Sequence, residues 1–198
     1  MRYSFFGTCV NDYDHLINCI DTIIAQSILP KEIILVNSGS KNIKKLIQSK
    51  IINKNIDFIY IQKSLKRVNA LNLAIKNCTA ELSFRFDIRT RFSVDYAKNV
   101  ISKFNDQKIN ASVIGGVPVA ISNDESIQAK LCKEIMNRSY IFFYPKHRNR
   151  IYSGYSSSVY LGCFKTKLLK KVNYREEKNL ISEDSLIISD FLKEGYKT

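Results

Sequence analysis

The chain has no tryptophan and only three prolines, seven glycines and two histidines among its 198 residues. So little proline and glycine excludes a collagen-like or low-complexity chain and leaves regular elements to make up most of the fold. The five cysteines (Cys9, Cys19, Cys78, Cys132, Cys163) are scattered, odd in number and form no C-x-x-C pair. That spacing excludes a zinc ribbon or dithiol redox motif and predicts reduced core thiols of a cytosolic protein. No apolar run approaches the roughly 20 residues that span a bilayer, and Met1-Arg2-Tyr3 leads into a strand-like run rather than a signal peptide. Acids are scarce as well: 18 Asp and Glu stand against 31 Lys and Arg, a formal net charge of +13. This excess implies an anionic partner, whether nucleotide phosphates, nucleic acid or an acidic membrane surface. Lys44, Lys45, Lys50 and Lys54 are dispersed rather than blocked, and no aromatic RNA-binding signature occurs. A generally basic surface is therefore expected, without a nucleic-acid partner.

What the chain does have is alternation. Tyr3 to Val10 is apolar, β-branched and aromatic, as a buried parallel strand requires. Asp14 then caps an expected helix whose Leu16, Ile17, Ile20, Ile23 and Ile24 recur at helical spacing. Glu32 to Val36 reads as a second strand, Ile43 to Ile51 as a helix and Asp57 to Ile61 as a third strand. A helix from Asn69, a strand over Leu82 to Phe86 and a helix from Ser93 or Asp95 to about Phe104 follow. This β-α-β order predicts a single α/β, Rossmann-like domain with a mixed, mostly parallel sheet flanked by helices. Further on, Ala111 to Val119 suggests a strand interrupted by Gly115-Gly116. Ile127 to Tyr140 suggests an amphipathic helix with Leu131, Ile135 and Met136 on one face, and Tyr140 to Ser158 either a mobile binding loop or an ordinary surface loop. A last helix from Ser182-Glu183-Asp184 turns Leu186, Ile187, Phe191 and Leu192 inward and closes at Gly195.

Polar residues gather where strands end. Asn37-Ser38-Gly39-Ser40 follows the second strand, and Arg85-Phe86-Asp87-Ile88-Arg89 carries Asp87 at the carboxyl end of the fourth, where open α/β sheets place their ligands. A carboxylate between guanidinium groups suits phosphate and a metal ion, and it equally suits a solvated loop. Likewise Glu183 and Asp184 can serve catalysis or complement a helix dipole.

Taken together these segments resemble the family 2 inverting glycosyltransferases of the GT-A fold. Asn11-Asp12 is similar to the family's N-E turn, and Gln26 with Glu32-Ile33-Ile34-Leu35-Val36-Asn37-Ser38-Gly39-Ser40 to its Q…E-I-I-V-V-D-D-G-S. Ala70-Leu71-Asn72 resembles A-L-N, and Glu183-Asp184 with Gly195-Tyr196-Lys197 resembles E-D…G-Y-K. The R-x-D-x-R form at Arg85 to Arg89 looks most like the succinoglycan-type exopolysaccharide branch.

The resemblance implies an inverting hexosyltransferase of surface polysaccharide synthesis, cytoplasmic or peripheral at the inner face of an anionic membrane. Its donor is a nucleotide sugar, usually of uridine diphosphate, and its acceptor a saccharide or lipid-linked sugar. Residues 1–92 would form the donor half and residues 93–198 the acceptor and catalytic half. Thr8, Asn11, Asn37, Ser38 and Lys66 are the implied donor contacts on the first turns, with Asn72, Arg85, Asp87 and Arg89 beyond them. Asp184 matches the catalytic base, with Glu183 assisting it.

The departures from the family pattern are specific. Asn37 stands for an aspartate that faces the base, and Arg89 stands where D-x-D has its second acid. Mg²⁺ or Mn²⁺ on Asp87 is thereby put in doubt, because a guanidinium removes an oxygen ligand and repels the ion. Arg89 can instead stabilise diphosphate charge directly. The family's next strand, often bearing a metal-binding histidine, has no match at His15 or His147, which leaves a naturally short chain, one truncated at its C-terminus and an inactive remnant as open readings. A non-catalytic nucleotide-sugar binder and a basic nucleic-acid-binding α/β domain are the competing readings.

Overall fold

The computed structural model describes residues 1–122, 124–138, 152–176 and 182–198. Strands β1 (Tyr3–Cys9), β2 (Glu32–Asn37), β3 (Asp57–Gln62) and β4 (Leu82–Arg85) alternate with helices α1 (Tyr13–Ile23), α2 (Lys44–Ile51) and α3 (Arg67–Asn77). Helix α4 (Tyr96–Asn105), strand β5 (Val113–Ile114), helix α5 (Ile127–Asn137), strand β6 (Cys163–Lys165) and helices α6 (Thr166–Val172) and α7 (Glu183–Lys193) complete the order. The sheet runs β3-β2-β1-β4-β6-β5. Its first four strands are parallel, and β6 is antiparallel to both β4 and β5. This is the expected mixed, mostly parallel α/β domain.

The strand pleat sorts the core into two faces. Tyr3, Phe5, Ile33, Leu35 and Phe84 point to a cluster with Leu16, Ile20 and Ile23 of α1, Ile47 of α2 and Val100 of α4. Phe6, Ile34 and Val36 point the other way, to Ala70, Leu71 and Ala74 of α3, Leu169 of α6 and Ile187, Ile188 and Phe191 of α7. Both faces being covered explains why β1 and β2 read as continuous apolar runs. Gly7 lies under the Phe86 ring, where a Cβ would come within 2.6 Å of a ring carbon, so the β1 backbone can approach β4's exit closely.

Two buried polar side chains tie these layers together. Gln26, 4% exposed, donates to the Ser93 carbonyl at 2.8 Å and accepts from Ala97 N–H at 2.9 Å, capping the start of α4. Glu32, 2% exposed, accepts from Ser4 Oγ, from Thr79 N and Oγ1 and from Ala80 N, joining β2 to the turn before β4.

Several local expectations are corrected. Only Val113–Ile114 of the 111–119 segment pairs as strand, because Gly115 passes so close to the 159–160 backbone that a Cβ there would lie 2.9 Å from the Tyr160 carbonyl. Helix α5 forms, with Leu131, Ile135 and Met136 59%, 49% and 45% exposed. Its Ser126 cap and an Asn137 side chain paired both ways with the Ala120 backbone hold it. Cys132 on that helix is exposed while the other four thiols are buried and free. Leu192 is 41% exposed; Ile188 takes the inward place beside Ile187 and Phe191. The Asp14 cap is also corrected, since α1 begins at Tyr13 and Asp14 lies within its first turn. Strand β6 and helix α6 are elements the sequence pattern did not signal. Tyr140 and most of the expected binding loop, with His147, lie outside the described residues.

The Glu32 cluster generates a stability prediction. Burial alone raises this carboxyl's pKa, but donation from Ser4, Thr79 and Ala80 outweighs burial and holds it below its ordinary 4.5. A folded pKa below the unfolded one contributes stability that is complete above about pH 4.5 and lost as pH falls further. Urea denaturation of Glu32→Gln should show a loss of about 2 kcal/mol at pH 7, since buried donors lose a charged acceptor, shrinking toward pH 3.

Candidate functional site

The site begins at the carboxyl ends of β1 and β4, where the parallel strands deliver Thr8 and Phe86-Asp87 side by side. A cleft of about 440 Å³ opens there, lined by Thr8, Val10, Asp12, Ser38, Arg67, Ala70, Leu71 and residues 85–89. Three guanidinium groups and two carboxylates thus face one space. The Ser38 Oγ is buried in its wall without a hydrogen-bond partner.

Arg85 governs the geometry. It is 3% exposed, and a charge so deep in a sheet is tolerated only when paired. Its Nη2 donates to Glu183 Oε1 at 3.0 Å, its Nη1 meets Asp184 Oδ1, and Nη1 also donates to the Tyr174 hydroxyl at 3.2 Å. The guanidinium carbon lies 5.5 Å from the Tyr174 ring centroid, within cation–π range. Its Nε alone has no partner. Glu183 and Asp184, almost a hundred residues away in sequence, are thereby fixed beside the cleft on the first turn of α7. The residue before that helix, Ser182, takes a left-handed φ of 72° and offers no side-chain cap, so ion pairing rather than capping sets the helix start.

Arg67, the first residue of α3, links the two acidic elements. Its Nε donates to Glu183 Oε1 at 2.5 Å and its Nη2 to Asp87 Oδ2 at 3.1 Å. Burial raises the Glu183 carboxyl, but Arg67 and then Arg85 more than reverse this and hold it below the usual range. Glu183 is therefore a fixed anion and a poor proton acceptor. Asp184 has 41% of its side chain exposed and meets Arg85 through Oδ1.

The remaining expected site residues divide clearly. Thr8, Ser38, Arg85, Asp87 and Arg89 line the cleft; Asn11, Asn37, Lys66 and Asn72 do not. Asn37 is fully buried and saturated: its Nδ2, with two hydrogens to donate, lies within hydrogen-bond distance of Lys41 O, Tyr60 Oη and Gln62 Oε1, and its Oδ1 accepts from Gly39 N. Asn11, at a left-handed φ of 55°, accepts from Ser40 N, tying the first turn to the second. Asn72 grips the 174–176 segment through Tyr174 O, Tyr174 N and Glu176. Lys66 stands exposed at the N-cap of α3. Arg89 is 74% exposed and turns its Nε and Nη2 onto Asp12 Oδ2, 3.1 Å from each.

Sequence reasoning missed Arg67 and Tyr174. Arg67 was within reach, since it stands three and four residues before Ala70 and Leu71 and so shares their helix face toward the cleft.

The donor set does not suit a divalent cation. Asp87 offers one oxygen to Arg67 and the other to its own turn, accepting from Arg89 N at 3.4 Å, and Asp12 is taken by Arg89 and His15. No group of three metal-binding side chains occurs among the described residues.

Residues 4–166 match the family model described as glycosyl transferase family 2. The chain belongs to that family. Among curated relatives of this family 2 chain is poly-beta-1,6-N-acetyl-D-glucosamine synthase of Staphylococcus aureus, 32% identical over 132 residues, which are 65% of this chain and 31% of the relative. Another is a dolichyl N-acetyl-alpha-D-glucosaminyl phosphate glucuronosyltransferase of Methanococcus voltae, 26% identical over 204 residues, 94% of this chain and 60% of the relative. The chain therefore spans about a third and three fifths of those lengths. Similar solved structures include S. aureus TarS with UDP-GlcNAc (TM-score 0.67, 18% identity, 96% of this chain and 53% of that one). A mannosyltransferase of Pyrobaculum calidifontis with GDP-Man and Mn²⁺ also matches (TM-score 0.70, 14% identity, 99% and 53%). At such identities the likeness establishes the GT-A-like fold alone.

The buried ion pairs make a measurable demand on the fold. Arg85→Met should lower stability by about 2–4 kcal/mol, because Glu183 loses its buried partner. Adding Glu183→Gln to Arg85→Met should restore about 1 kcal/mol or more, since contacting residues couple. Denaturant melts of the two single variants and the double variant measure this.

Proposed function

We propose that this chain moves a sugar from a uridine-diphosphate sugar to a saccharide or lipid-linked acceptor, with inversion, in surface polysaccharide synthesis. The observation that carries the reading is Asp184, half exposed and held by Arg85 beside the cleft that Thr8, Ser38 and Asp87 line. A carboxylate so placed can take the proton of an acceptor hydroxyl as that oxygen bonds to the anomeric carbon. The bond from that carbon to the diphosphate breaks on the opposite side, and the configuration inverts. Glu183 stays ionised and keeps Arg85 in position, and Arg67 is within the cleft to meet charge that builds on the departing diphosphate.

The donor class proposed is that bound in the TarS structures, which hold UDP and UDP-GlcNAc, and the acceptor classes are those in the names of the two curated relatives. Within the family, the R-x-D-x-R run at Arg85 to Arg89 supports a reading beside the succinoglycan-type branch. No helix among the described residues is long and apolar enough to cross a membrane. A lipid-linked acceptor then brings the protein to the inner membrane face by peripheral contact, with its net charge of +13 attracted to anionic lipid.

Asp184→Asn keeps the shape of the side chain and removes its basicity. Transfer from radiolabelled UDP-sugars should fall by roughly a hundredfold to ten-thousandfold while calorimetric donor affinity stays within a few-fold. Equal turnover in variant and parent removes Asp184 from the mechanism, and donor binding without any turnover by the parent favours the non-catalytic binder.

A further inference from the structure

Every carboxylate at the cleft faces a guanidinium. Asp12 holds Arg89, Asp87 holds Arg67, Glu183 holds Arg67 and Arg85, and Asp184 holds Arg85. A hard divalent cation needs several oxygen ligands free of competing charge, and here Asp87 Oδ2, in the cleft wall, already lies 3.1 Å from Arg67 Nη2. The cations already in place differ in freedom. Arg85 is buried and committed on both terminal nitrogens, whereas Arg67 is 53% exposed in its side chain, lines the cleft and stands at the first position of the eleven-residue α3. Arg89, the cation the sequence singles out, is 74% exposed and spends Nε and Nη2 on one oxygen of Asp12.

We propose, building on the donor-site reading, that Arg67 is the counter-charge for the donor diphosphate and that this cleft binds a nucleoside diphosphate without a divalent metal. Phosphate draws the Arg67 fork away from Asp87 and Glu183, a planar guanidinium being suited to two phosphate oxygens at once. Glu183 remains paired with Arg85 when Arg67 shifts, so the exchange leaves no buried carboxylate alone. The unpartnered Ser38 Oγ and Arg85 Nε in the same walls are further groups awaiting a ligand acceptor.

Calorimetry of uridine diphosphate with the full chain tests this, in EDTA and in Mn²⁺, for the parent and for Arg67→Ala and Arg67→Lys. The parent should bind with affinities within about threefold in the two conditions. Arg67→Ala should bind about ten- to a hundredfold more weakly in both, and Arg67→Lys should lie between, since an ammonium keeps the charge and loses the fork. Binding by the parent in Mn²⁺ that disappears in EDTA overturns the proposal and leaves the donor site standing, as does unchanged affinity in folded Arg67→Ala. The parent measurement decides the metal question even if a variant fails to fold. No binding of uridine, guanosine or thymidine diphosphate in either condition overturns the donor-site reading on which the proposal rests.

Discussion

A buried guanidinium on a central strand sets the terms for the second half of this protein. Taking Arg85 out of water costs several kcal/mol unless carboxylates and further acceptors meet it, and nothing on β4 or its neighbours in sequence supplies them. The partners come from α7 and from Tyr174, across 98 and 89 residues. Satisfying Arg85 therefore fixes where α7 begins and how the 174–176 segment runs, with Asn72 of α3 holding that segment's backbone from the other side. The same pairings that offset the cost of burial bring Glu183 and Asp184 to the cleft. Stability and site geometry share one origin here.

The electrostatics of the cleft differ from those of the whole chain. Arg67, Arg85 and Arg89 face Asp12 and Asp87 there, and Glu183 and Asp184 pair with the arginines from beside the cleft, so charge is locally near balance although the protein carries +13 overall. The excess of base lies on the remaining surface. That distribution suits a protein whose donor site is finely balanced while its exterior meets an anionic surface or substrate at longer range. It also explains why net charge alone does not identify the partner.

The parallel half was legible in the sequence because its signals are local. Continuous apolar runs, helical spacing from Leu16 to Ile23 and polar turns after each strand specify β1 to β4 without reference to distant residues. Strand β6 has three residues, too few for a period, and its identity depends on pairing with β4. The apolar stripe of α5 was legible, but periodicity says nothing about whether another element covers it. At the site, the strand-end placing of Asp87 was readable from position and Asp184 was reached only through the family resemblance, but Asn37 and Asn72 show the limit of such reading. An amide at a strand end can serve a ligand or serve the backbone, and both of these are engaged by the chain itself. Arg67 escaped notice because its significance lies in two carboxylates reached through the fold.

A crystal structure of the chain with uridine diphosphate is the most direct measurement. The account predicts the diphosphate between Thr8 and Asp87, with Arg67 turned from Glu183 to within about 3 Å of a phosphate oxygen and Asp184 still on Arg85. Uridine diphosphate bound outside this cleft, or inside it with Arg67 unmoved on Glu183 and Asp87, would contradict it.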